Sequence, residues 1–141
     1  MTERVLVTAV LVVLAVAVAT VVSRRRSAVP SGPRSGVPTQ LDRAELEGQD
    51  APWLVAVFTS STCLACPEAL SFAREVTSDQ VVVTEIERSA HRRIHDRYGI
   101  EAVPLTVVAD DQGVVVAAFV GGAAPAELSA AMATSGRSTN P

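Results

Sequence analysis

Cys63 and Cys66 are the only cysteines among the 141 residues of this chain. They stand in "TSSTCLACPEAL", residues 59–70, after an apolar run and before a helix-like one. Two thiols at this spacing can exchange electrons with a disulfide, ligate a soft metal, or close a small loop as a static staple. Their placement favours exchange. A helix start presents unpaired N–H groups and about half a positive charge. Such a field lowers a thiol pKa from about 8.5 toward roughly 3.5–7.5, and the thiolate is the attacking species. One helical turn brings the second sulfur within bonding reach of the first. The pattern casts Cys63 as the nucleophile and Cys66, deeper in the helix, as the thiol that resolves a mixed disulfide.

The metal alternative draws on His91 and His95, at i and i+4 in "HRRIH". With the cysteines they would form a two-Cys, two-His set. Twenty-four residues separate Cys66 from His91, whereas compact zinc modules use about 12–15. An arginine-rich helix with a solvated face is the simpler account, so no metal ligands are assigned. Trp53 reads as a core or rim residue opening a strand, and Tyr98 and Ile100 as packing around a helix stop. Glu85 and Glu87 alternate with Thr84 and Ile86 on a strand, a poor arrangement for paired-acid catalysis. Pro67 shapes a helix start.

Elements that could hold the cysteines in place follow from periodicity. "LDRAELEG" predicts a short helix ending at Gly48. "PWLVAVFTS" is a continuous apolar run, the pattern of a strand covered on both faces. "PEALSFAREV" carries Leu70, Ala73 and Val76 at helical spacing, with Pro67 in the first turn, where proline is tolerated. "VVVTEIE" is a β-branched strand, and "SAHRRIHDRYG" a polar helix stopped by Gly99. "PLTVVAD", "DDQG" and "VVVAAFV" read as strand, turn and hairpin partner, and "APAELSAAMAT" as a closing helix. The order α-β-α-β-α-β-β-α predicts an α/β domain, a mixed four-stranded sheet with helices on both faces.

Outside that domain the chain changes character. Residues 5–22 form an eighteen-residue run without a charge. As a helix it spans about 27 Å, close to a hydrocarbon core of about 30 Å. Two readings compete. One is a retained transmembrane anchor over residues 1–23. The other is a signal peptide cut after "AVA", Ala17 to Ala19. The anchor is favoured, because the apolar run continues to Val22 and Arg24, Arg25 and Arg26 follow at once. With Arg34 they load the C-terminal flank with positive charge, which places the domain in the cytoplasm. An extracytoplasmic domain is the alternative.

Residues 24–40 hold three prolines and two glycines and read as a flexible linker. The domain is expected over residues 41–134, with a polar tail over 135–141. From Leu41 onward fourteen acidic residues face seven arginines, a net charge of −7. No basic cluster is present to hold a nucleic acid.

Three stretches together resemble thioredoxin and thioredoxin-like disulfide oxidoreductases. "WLVAVFTSSTCLACP" is similar to the family's buried strand running into its active-site cysteines. "RYGIEAVPLTVVAD" resembles the segment in which a helix ends and a cis-proline precedes the next strand. "GVVVAAFVGG" resembles the following hairpin strand with its glycine pair. The resemblance implies a thioredoxin-like fold, a redox-active Cys63/Cys66 pair and a cis-Pro104. It also implies that the backbone of Val103 pairs with extended substrate.

It implies a disulfide-containing protein as substrate and a thiol electron donor such as thioredoxin or its reductase, with no cofactor. The chain departs from thioredoxin proper at Thr62, Leu64 and Ala65, where the family has an aromatic residue, Gly and Pro. At Val57 the family has a buried acid that serves the second cysteine's proton. A water or Glu68 is the candidate substitute. "FTSSTC" is also similar to extracytoplasmic thioredoxin-like reductases of cytochrome maturation. A binding or redox-sensing module of the same fold, without turnover, is the rival reading, and a zinc or copper carrier a weaker one.

Overall fold

The computed structural model describes Met1, residues 10–16 and residues 36–136. Residues 10–16 form a short helix, α1. The predicted span over 5–22 lies mostly outside the described residues, as do the basic flank Arg24, Arg25, Arg26 and Arg34, most of the linker, and 137–141 of the tail. Among the described residues no helix is long and apolar enough to cross a membrane.

The four strands are β1 (Trp53–Thr59), β2 (Val81–Glu87), β3 (Leu105–Ala109) and β4 (Val115–Val120). They form one sheet in the order β2-β1-β3-β4. β1 runs parallel to β2 and antiparallel to β3, and β3 and β4 are antiparallel. The predicted mixed sheet is therefore the one observed. β1 is buried from Leu54 through Thr59, which is why its sequence runs apolar without alternation.

Helices cover both faces. Leu54, Ala56 and Phe58 point to one side, with Ile86, Leu105 and Val107, with Ile94 from α3 (Arg92–Arg97) and with Tyr98 just after it. Val55 and Val57 point to the other, against Leu70 and Ala73 of α2 (Cys66–Arg74) and Leu128 and Met132 of α4 (Pro125–Ser135). α2 is the crossover between parallel strands, which demands a long connection, whereas the antiparallel β3–β4 pair needs only a tight turn. In that turn Asp110 Oδ1 accepts from the backbone N–H groups of Gln112 and Val114, at 3.0 and 2.9 Å.

Two expectations need correction. "LDRAELEG" forms a single 3-10 turn, Arg43–Glu45, rather than a helix. Arg43 is buried within it and donates to the carbonyls of Asp110, Gly48 and Ala51 at 2.6–2.7 Å. Directing that guanidinium inward is incompatible with the outward face a helix would have given it. In α3, the face read as solvated carries His95, which is only 1% exposed. Its Nε2 donates to the Ile86 carbonyl at 2.7 Å, and its ring meets Phe58 edge-on at 5.3 Å. Charge around His95 masked a residue that points into the sheet.

Candidate functional site

β1 ends at Thr59, and a turn carries the chain to Cys66, the first residue of α2. Within that turn the Cys63 N–H donates to the Ser60 carbonyl at 3.1 Å, and the Cys66 N–H to the Cys63 carbonyl at 3.4 Å. The two cysteines are joined as a disulfide, with Cα atoms 5.5 Å apart. Cys66 opens the helix rather than lying inside it, and Cys63 sits in the preceding turn. Their surroundings differ. Cys66 is 3% exposed because it shares a helix face with Leu70 and Ala73, which lie against the sheet. Cys63 is partly exposed, and Leu64 between them is 98% exposed.

Glu87, at the end of β2, ties this turn to the sheet. Its Oε1 accepts from the Ser61 N–H at 3.2 Å. Its Oε2 accepts from the Ser89 hydroxyl and from the N–H groups of Ser89 and Ala90 at 2.8 and 2.9 Å. The Ser89 hydroxyl first, and then these backbone donors, hold the carboxyl below its ordinary 4.5. The Arg88 N–H also reaches the Thr59 carbonyl at 3.0 Å.

The Val103–Pro104 peptide bond is cis, as expected. Because β1 and β3 are antiparallel, Leu105 at the start of β3 pairs with Phe58 near the end of β1. The cis-proline loop and the cysteine turn therefore lie at the same end of the sheet. Pro104 is buried, while Val103 is half-buried. Gly121 donates to the Pro104 carbonyl at 2.8 Å, and the following Gly122 comes close to Ala69 of α2. All four residues assigned from the sequence thus lie at this end of the sheet.

Within the sheet Val57 is fully buried. Its neighbours in the sheet are Glu85 on β2 and Thr106 on β3. Glu85 Oε1 accepts from the Thr59 hydroxyl at 2.9 Å, and its other oxygen lies 3.8 Å from Arg74 Nη2. Glu68, a candidate substitute for the missing acid, is exposed. Sequence reasoning passed over Thr106, since only the β1–β3 register brings it beside Val57.

The two histidines of the alternative, metal-binding reading do not converge: His91 is exposed and His95 faces the core. Among the described residues no group of three or more His, Cys, Asp and Glu is arranged to hold a metal ion. Trp53 packs half-buried at the rim of the α2/α4-side core. The Tyr98 hydroxyl accepts from the Asp42 N–H at 2.8 Å, while Ile100 is buried.

A model of the thioredoxin-like domain matches residues 39–135. The chain belongs to the thioredoxin-like family. This thioredoxin-like protein is similar to the germline-specific thioredoxin Deadhead of Drosophila melanogaster, with 26% identity over 61% of this chain and 83% of that one, TM-score 0.51. A thioredoxin from Halobacterium salinarum shares its fold at 20% identity, covering 73% of this chain and 95% of that one, TM-score 0.54. So does Malassezia sympodialis thioredoxin, at 24% identity over 75% and 96%, TM-score 0.52. No curated protein matches the chain. A thioredoxin-like fold holding a cysteine pair at bonding distance is suited to thiol–disulfide redox chemistry.

Proposed function

We propose that this protein is a membrane-tethered thiol–disulfide oxidoreductase that reduces protein disulfides through Cys63 and Cys66. One observation carries the reading: in a thioredoxin-like frame, the chain's only two cysteines are bonded, with Cys63 reachable and Cys66 covered. That asymmetry supports the order of roles proposed here. The Cys63 thiolate attacks a substrate disulfide, forming a mixed disulfide and releasing one substrate thiolate, which takes up a proton. Cys66 then loses its proton and attacks Cys63 Sγ. The Cys63–Cys66 bond forms, the bond to substrate breaks, and the second substrate thiolate is protonated. The substrate gains two electrons and two protons, and the dithiol loses them.

Val103 and Pro104 form the docking edge for extended substrate, and exposed Leu64 offers apolar contact beside the reacting sulfur. The dithiol is regenerated by a thiol donor such as thioredoxin or its reductase. Residues 5–22 supply the tether, and the arginines after it place the domain in the cytoplasm, where thiols are kept reduced.

The direct trial is insulin reduction by the wild-type chain and by Cys63→Ser. Loss of activity in the variant is the expected result; equal rates remove the proposal. Protease added outside spheroplasts tests the topology, since an outward-facing domain would be degraded.

A second reading is a redox-sensing or binding module, favoured by apolar Val57 where the family has an acid. Selective alkylation of reduced Cys63 near neutral pH supports the enzyme. A pair that stays oxidised and inert supports the module.

A further inference from the structure

Thr106 is completely buried, and its hydroxyl has no hydrogen-bond partner. An orphaned hydroxyl in a core is unfavourable, so a fold that keeps one invites a reason. Its location supplies one. Along β3, Leu105, Val107 and Ala109 join the α3-side core, while Val108 joins the α2/α4-side core. Thr106 therefore faces α2 and α4 with Val108. It stands directly opposite Val57, which packs with Leu70 and Ala73 on that face. Cys66 lies one helical turn before Leu70 on the same buried stripe of α2. Val57 provides no polar group on this face; Thr106, its neighbour across the β1–β3 register, does.

We infer that the Thr106 hydroxyl donates a hydrogen bond to the Cys66 thiolate when the dithiol is reduced, stabilising it for attack on Cys63. This inference rests on the dithiol reading above. A threonine hydroxyl is not a base, so it takes no proton. The Cys66 proton passes to solvent and the departing substrate thiolate is protonated in turn, while Thr106 keeps its own proton and lowers the energy of the sulfur anion. Thr106 thus acts as a catalytic residue that contacts the reacting sulfur without transferring a proton. The charged groups around this corner are Glu68 and Arg74 of α2, Glu85 and Glu87 of β2, and Glu127 of α4. None of them is buried.

The test uses the reduced full-length chain and the aromatic disulfide DTNB. Cys63 releases a first coloured thiolate on attack, and Cys66 releases a second on resolution, so the two steps appear as separate phases. Thr106→Val is nearly isosteric and removes only the hydroxyl. It should leave the first phase unchanged and slow the second roughly three- to tenfold at neutral pH, since a thiolate loses a hydrogen bond but gains some nucleophilicity. The pH midpoint of the second phase should rise by about one unit, and Thr106→Ser should restore both values. An unchanged second phase in Thr106→Val, or equal slowing of both phases, overturns the inference alone. A wild-type chain that releases only one coloured thiolate overturns the dithiol reading as well.

Discussion

Gly122 approaches α2 so closely that a Cβ built on it would lie 2.8 Å from the Cβ of Ala69. Its φ is also +88°. The preceding residue, Gly121, has φ +89°, yet a Cβ there meets nothing within 4 Å. The two glycines separate backbone strain from crowding. Gly121→Ala should cost about 1–2 kcal/mol, the penalty of the left-handed region alone. Gly122→Ala adds a clash against the helix that carries Cys66, about 1–3 kcal/mol more. Urea denaturation of both variants checks the difference; equal losses would mean that α2 yields freely.

Glu87 should make the stability of the domain sensitive to acid. Its carboxyl is held below the ordinary 4.5 by Ser89 and by backbone donors that include Ser61. A lowered native pKa means that the stabilisation is fully present above 4.5 and fades as pH falls through the native value. Glu87→Gln should lower stability at neutral pH and flatten the loss on acidification. Urea midpoints measured from neutral pH into the acid range test this. A wild-type midpoint no steeper in acid than that of the variant counts against the role.

His95→Ala should destabilise the domain by about 2–4 kcal/mol, since it opens a cavity beside Phe58 and orphans the Ile86 carbonyl. His91→Ala, at an exposed position of the same segment, should change stability by less than about 0.5 kcal/mol. Paired denaturation curves discriminate. Comparable losses would point to a shared role for the two rings, as a metal site would require.

Cys66→Ser should trap substrate. With Cys63 reachable and the resolving thiol removed, the mixed disulfide persists. Non-reducing electrophoresis of the variant with a disulfide-bonded protein should show a covalent adduct that a reductant releases. Cys63→Ser should give none, because Cys66 is 3% exposed and cannot reach a folded partner. An adduct through Cys66 would reverse the assigned order.

Legibility varied with the range of the interaction. The four strands, α2 and α4 were readable because their apolar spacing reports which faces are covered. The segment at Arg43 and the helix around His95 misled for one shared reason. A charged or polar side chain normally faces water, and only a tertiary acceptor reverses that rule. Arg43 finds carbonyls of Asp110, Gly48 and Ala51, and His95 finds that of Ile86. Such acceptors leave no local trace in composition.

The cysteine spacing, the strand before it and the helix after it are local, so the sequence by itself determined the redox pair and the family resemblance around it. The neighbours of Val57 were decided only in three dimensions. Strand register sets Glu85 on one side of it and Thr106 on the other, and a slip of one residue would turn every side chain to the opposite face. Pairing between distant segments is fixed by the packing of the whole sheet, and that packing set a hydroxyl opposite Val57 on the face that α2 covers.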